Sequence, residues 1–168
     1  VAPNRGPLLS RATTNLAGVR IDLHSHSSAS DGTERPGELV AQARRAGLDV
    51  VALTDHDTTA GWEEASAAAR EHGVALVRGT EVSARSAGMS VHVLSYLHDP
   101  SHPGLASELE RAREARSSRA RRIVALLGGD FGLRWEEVEA QVEPGAVIGR
   151  PHIADALVAR GVVASRDE

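Results

Sequence analysis

Between residues 19 and 98 the chain switches repeatedly from short apolar runs to helical periodicity and back. "VRIDLH" (19–24) reads as a short apolar strand, and "RPGELVAQARRAG" (35–47) as a helix. Pro36 falls in the first turn of that helix, Leu39, Val40, Ala43 and Ala46 recur along it, and Gly47 stops it. "LDVVALTDH" (48–56) is the continuous apolar run of a buried parallel strand. "TAGWEEASAAAREHG" (59–73) predicts a second helix with Thr58 or Thr59 as its cap. Glu63 and Glu64 stand early in it, where the helix dipole favours acids, and Gly73 ends it. "VALVRGTEVSA" (74–84) and "MSVHVLSYL" (89–97) predict two further strands.

Strand, helix, strand, helix, strand is the grammar of a parallel α/β sheet with crossover helices. The pattern then changes. Residues 104–129 form a long, charge-laced helical stretch ended by a Gly pair, 134–142 a short helix, and 149–161 another with Pro151 at its start. Residues 1–18 are loop-like, and no internal repeat is present.

Composition narrows this picture. Apolar residues make up 41% of the 168, mostly Ala, Val and Leu, so the expected core is built from small aliphatics in one domain. The formal net charge of −4 provides no global basic field, so no large nucleic-acid surface is expected. The absence of cysteine excludes disulfides, thiolate metal sites and a cysteine nucleophile together. Any metal must sit on imidazole and carboxylate. No apolar run approaches the roughly 20 residues of a membrane span, and the N-terminus lacks a basic segment followed by an apolar one. A cytoplasmic enzyme with no membrane partner is the expectation; oligomeric state is left open.

The candidate chemistry clusters at strand ends. His24 and His26 follow the first apolar run and share a face, because alternate residues of a strand point the same way. The second run ends in Asp55, His56 and Asp57, the third reaches Glu81, and the fourth carries His92. Open and barrelled α/β sheets gather their sites at the C-terminal ends of strands. Each residue also has a structural reading: Asp31 before Gly32 as a turn residue, Glu81 as a solvated acid, His92 as a core histidine. All of these holding at one sheet end is the less economical account. Convergent imidazole and carboxylate suit zinc, manganese or iron, and several such ions suit phosphoester hydrolysis. His72, His98 and His102 are expected in solvent.

The stretches "DLHSHSSASDGTERPGELVAQARRAGLDVVALTDHDT", "GTEVSA", "VHVLSY" and "GRPHIADALVARGVV" together resemble the polymerase and histidinol phosphatase (PHP) superfamily of metal-dependent phosphoesterases. They look closest to its bacterial branch of 3′,5′-nucleoside bisphosphate phosphatases and 5′-to-3′ oligoribonucleases. The resemblance implies the N-terminal part of a distorted (β/α)7 barrel. The first half of that barrel would span 19–98, a mainly helical insertion 99–148, and the return to the barrel 149–168.

It also implies a ligand set for two or three divalent ions. His24 and His26 would hold the first metal, Glu81 would bridge it to a second completed by His92 and His152, and Asp31 and His56 would hold a third. Glu81, His24 and His26 would act catalytically through metal-bound water. Asp57 would stand behind His56 and orient it. The family's later Asp-x-His has no counterpart after His152, and a full (β/α) barrel takes roughly 250 residues, so this chain is expected to be part of a longer enzyme.

Phosphate recognition is the remaining expectation. "REARSSRARR" sets Arg113, Arg116, Arg119 and Arg122 three residues apart, which by spacing alone reads as an exposed face salt-bridged to Glu108, Glu110 and Glu114. The resemblance instead implies that Arg119, followed by Ala120, grips the substrate's non-scissile phosphate, with Arg116 next in rank and Arg150 as a further contact. The implied enzyme is a hydrolase acting on an ester of a nucleotide or short oligonucleotide. The alternatives are a phosphatase of another small phosphate, such as histidinol phosphate, and a non-catalytic metal- or nucleotide-binding module.

Overall fold

The computed structural model describes residues 18–166, so the loop expected over 1–18 lies outside the described residues except for Gly18. Four strands, β1 (Ile21–Asp22), β2 (Val50–Leu53), β3 (Ala75–Ser86) and β4 (Met89–Tyr96), form one sheet in the order β1-β2-β3-β4. Helices α1 (Pro36–Arg45) and α2 (Trp62–His72) connect the first three strands. Then come α3 (Pro103–Phe131), α4 (Trp135–Glu139) and α5 (Arg150–Ala159).

β1, β2 and β3 are parallel, as their helical connections require, but β4 runs antiparallel to β3. Only Ala87 and Gly88 separate the two, both at positive φ (49° and 83°), and a two-residue turn of that hand closes a hairpin rather than a crossover. β1 is shorter than the six residues expected, and His24 and His26 lie beyond it on an extended segment. β3 has 12 residues against the 11 expected over 74–84 and ends two residues later, with Glu81 in its middle. The sheet curls into a half-barrel. The Tyr96 hydroxyl donates to the Leu23 carbonyl at 2.8 Å, although these residues flank opposite edges of the strand order.

Helix ends follow local chemistry with two departures from expectation. α1 opens with Pro36, and the Glu38 carboxylate accepts the Arg35 backbone N–H at 3.2 Å. α2 starts at Trp62 rather than 59, because Thr58 and Thr59 are used in the turn before it: their oxygens accept the Ala60 and Trp62 N–H groups. α3 runs through Gly128 and Gly129, since an interior glycine weakens a helix by only about 1 kcal/mol. It stops at Gly132, whose φ of 67° is the left-handed cap.

Two apolar clusters result. Val40 and Ala43 of α1, Val51 and Leu53 of β2, and Trp62, Ala65 and Ala69 of α2 fill one face of the sheet. Ala120 and Val124 of α3, Val138 of α4, and Ile153 and Ala156 of α5 form the second among the helices. The candidate site lies between them. No helix among the described residues is long and apolar enough to cross a membrane.

Candidate metal centre

The segment after β1 keeps strand-like alternation although its ladder has ended. Ser25 turns to β2, its hydroxyl donating to Ala52 O and its carbonyl accepting the Thr54 N–H at 2.9 Å. His24 and His26 flank it and converge on Glu81, at 2.6 and 3.0 Å from Nε2 to Oε2. The chain then folds back through a turn that brings Asp31 to 3.6 Å from both His26 and His56. Gly32 permits this return, because a Cβ there would lie 2.2 Å from the His26 carbonyl oxygen.

Glu81 is held by the strand behind it. Its N–H reaches Thr54 O and Asp55 O, and its carbonyl accepts the Asp57 N–H. β2's continuation is thereby laced to β3 at His56 and Glu81. His92 enters from β4, whose register puts it opposite Ser83, and its Nδ1 lies 2.6 Å from Glu81 Oε1. It comes from mid-strand in an antiparallel neighbour, not from a strand end.

Three ligand groups emerge: His24, His26 and Glu81; His26, Asp31 and His56; His56, Glu81 and His92, each with donor atoms within 4.8 Å of one another. His152 joins none of these groups among the described residues. Its Nδ1 accepts the Gly149 N–H at 3.0 Å at the start of α5, leaving Nε2 for a ligand. The donor set fits divalent cations. His26 Nδ1 and His56 Nδ1 are buried with no hydrogen-bond partner among the described residues, and acceptor-rich side chains crowd one another without enough donors between them.

Electrostatics agree. Burial, and then the Arg116 charge, push His56 down to about 4, which keeps its imidazole neutral and a lone pair available. Burial likewise lowers His152. Burial works to raise Glu81, but the His24 hydrogen bond and the His56 and His26 charges more than offset it and leave it lowered.

A cavity of about 660 Å³ opens beside this cluster. Asp31, His56 and His92 line one part, and Arg116, Arg119 and Arg150 another. The arginine stripe therefore divides in two. Arg113 pairs with Glu110 and is also tied inward, its Nη1 donating to the Asp57 carbonyl, whereas Arg119 and Arg150 have no ion-pair partner among the described residues. Burial and the charges of Arg116, Arg150 and Arg122 lower the Arg119 guanidinium.

Asp57 is expected to orient His56, and in the structure its carboxylate hydrogen bonds go to other residues. Its buried carboxylate accepts the Ser83 N–H, the Ser83 hydroxyl and Arg116 Nε, at 2.6, 2.7 and 2.7 Å. His98 is not free in solvent either: it is half-buried against Trp62, with Nδ1 3.0 Å from Ser95 Oγ. His102 is exposed, and it caps α3.

A family model described as "PHP domain" matches residues 22–133, which includes His24, His26, Asp31, His56, Glu81, His92, Arg116 and Arg119. The chain belongs to the PHP domain family. A 5′-3′ exoribonuclease of Haemophilus influenzae is 38% identical over 141 residues, covering 84% of this chain and 47% of the relative. A 3′,5′-nucleoside bisphosphate phosphatase of Chromobacterium violaceum is 38% identical over 152 residues, covering 86% and 51%. A crystal structure from Bifidobacterium adolescentis, labelled a metal-dependent phosphoesterase, superposes with a TM-score of 0.85 at 49% identity, covering 89% of this chain and 53% of that one. The chain thus spans about half the length of these three relatives.

Several supports of this PHP domain have roles that its sequence did not show, even where, as for Asp55, the residue was noted at a strand end. Asp55 is buried and accepts the Ser27 N–H, the Ser27 hydroxyl and the Ser30 hydroxyl, all at 2.7 Å. Ser83 braces Asp57, and Ser90 and Arg166 line the cavity. The one available signal was the serine density around His26; the partners 28 residues away carried none.

Proposed function

We propose that this PHP domain is the metal-binding part of a phosphoesterase that hydrolyses a phosphate ester of a nucleotide or short oligonucleotide, such as a 3′,5′-nucleoside bisphosphate. The observation that carries the reading is the contact between two features: an imidazole and carboxylate cluster, and an arginine-lined cavity that shares Asp31, His56 and His92 with it. One feature suits divalent cations and the other suits anions, and a phosphate ester in water-derived hydrolysis needs both.

His24 and His26 would hold a first ion, Glu81 would bridge to a second with His92 and His152, and Asp31 and His56 would serve a third. The proximity of His26 to Asp31 and His56 also lets it share that last position. Two or three ions of manganese, zinc or iron suit this donor set. Bound there, they would supply Lewis acidity toward phosphoryl oxygens and make water acidic enough to act as a nucleophile near neutral pH.

The chain's own residues would do the rest. Arg119 and Arg150 would hold a second, non-scissile phosphate, Arg116 would contribute a buried guanidinium, and Glu81 would keep the ligands of neighbouring ions at fixed separation. The half-barrel is read as the first part of a (β/α)7 barrel over 19–98, interrupted by helices over 99–148 and resumed from 149. A small soluble substrate, rather than a long nucleic-acid surface or a membrane, suits a cavity of this size.

The test is phosphate release from adenosine 3′,5′-bisphosphate by the full-length protein with added manganese. Activity is expected with metal, and none in His24→Ala or Glu81→Ala. Full activity in excess chelator would overturn the reading.

A further inference from the structure

Asp57 follows His56 directly, yet no hydrogen bond or ion pair joins the two, and what the carboxylate does hold is Arg116. Asp57 is fully buried and stands at φ 54°, a left-handed conformation that costs a non-glycine residue about 1 kcal/mol or more. Five hydrogen bonds fix it there, the first from its own N–H to the Glu81 carbonyl. Its carboxylate takes the three from Ser83 and Arg116, and its carbonyl accepts Arg113 Nη1 at 2.6 Å. The residue after a ligand is thus bolted both to the strand that carries Glu81 and to α3.

Arg116 is fixed in turn. Its Nε is shared between Asp57 Oδ2 at 2.7 Å and Ser83 Oγ at 3.0 Å, which leaves the guanidinium one way to face. Its Nη2 is buried and has no partner among the described residues, while the residue lines the cavity together with Asp31, His56 and His92. An unsatisfied buried donor costs about 1–3 kcal/mol, more when charged, so an anionic ligand oxygen is its natural complement. Arg119 lines the same cavity but is exposed, as is Arg150. Arg116 is therefore locked beside the ligand cluster, whereas Arg119 and Arg150 are exposed and have no ion-pair partner among the described residues.

We propose that Asp57 is a positioning residue for Arg116, holding it so that its outer nitrogens meet the reacting phosphoryl group rather than the second phosphate. This rests on the phosphoesterase reading above and divides the arginines within it. Arg116, set by Asp57, serves the step common to every substrate, and Arg119 serves only substrates with a second phosphate.

The experiment uses the full-length, manganese-loaded protein with two substrates, adenosine 3′,5′-bisphosphate and an aryl phosphate monoester. Asp57→Asn should lower kcat/KM on both by a similar factor, about 10–100-fold, with metal content unchanged. Arg116→Ala should lower both further, and the Asp57→Asn, Arg116→Ala double variant should be no worse than Arg116→Ala, because the two act as one unit. Arg116→Lys keeps a cation beside Asp57 but loses the fork, and should also fall equally on both substrates, which keeps the test open if the Asp57 variant fails to fold.

Loss of metal in Asp57→Asn, additivity in the double variant, or an effect confined to the bisphosphate would each overturn the inference. Wild-type protein that hydrolyses neither substrate would instead overturn the phosphoesterase reading. Inorganic phosphate titrated calorimetrically into the manganese-loaded protein then reads the positioning by itself. Weaker binding in both Asp57→Asn and Arg116→Lys supports it, and unchanged binding overturns it.

Discussion

Ser27 is tied to Asp55 twice, by its backbone N–H and by its hydroxyl, each at 2.7 Å. A third bond comes from the Ser30 hydroxyl, so one buried carboxylate shapes the turn between His26 and Asp31. Burial raises Asp55 despite these three bonds, so the carboxylate is an expensive group to keep in the core, and its position between two candidate ligands gives the reason.

Asp55→Ala should therefore loosen metal rather than simply destabilise the fold. The three donors would lose their acceptor, and the turn that presents Asp31 would relax. Metal affinity is expected to fall about 10–100-fold, the range for residues that orient ligands. Titration with manganese or zinc checks this, and unchanged affinity in a folded variant would remove Asp55 from the site.

Gly32→Ala attacks the same turn from the other side. The added Cβ would meet the His26 carbonyl oxygen at 2.2 Å and Ser27 N at 2.8 Å, both backbone atoms that cannot swing aside. The turn must open, which separates His26 from Asp31. Stability should fall by about 1–3 kcal/mol, as for overpacked sites, along with metal binding. A denaturant midpoint equal to wild type would show that the turn yields freely.

Arg119→Ala should separate substrates by their number of phosphates. The guanidinium has no ion-pair partner among the described residues, so its removal strands no acid. KM for adenosine 3′,5′-bisphosphate should rise about tenfold or more, the size of a charged hydrogen-bonded contact, while KM for an aryl phosphate moves little. Equal effects on both would mean that Arg119 does not read the second phosphate.

The metal-free protein should lose stability in acid. Burial, then Arg116, depress His56 from 6.5 to about 4, and burial depresses His152, so the unfolded chain takes up protons before the folded one does. Stability from these groups is fully present above 6.5 and is lost as pH falls through the window toward about 4. Glu81, lowered from 4.5, adds a loss of the same sign lower down. Melting temperatures of chelator-treated protein should drop across that range, and His56→Gln should flatten the upper part. A wild-type profile that is flat between these values would contradict the assignment.

Local sequence determined the order and approximate positions of the helices, the parallel run of the first three strands and the types of candidate ligand. Pro36, Gly47 and Gly73 act on their own neighbours, and apolar runs report burial directly. It also determined the PHP resemblance, because His-x-His, "TDHD" and "GTEVS" are contiguous or nearly so. Tertiary structure alone decided that His92 reaches Glu81 from mid-strand, because this depends on the hairpin turn at Ala87 and Gly88 and the register it sets.

The same holds for the two buried aspartates. In sequence, Asp55 and Asp57 flank His56 symmetrically and look alike. In the fold, one shapes the turn of a candidate ligand and the other locks an arginine 59 residues away. A carboxylate's role is set by which donors the packing brings to it, and those donors arrive from elements whose distance in the chain leaves no local mark.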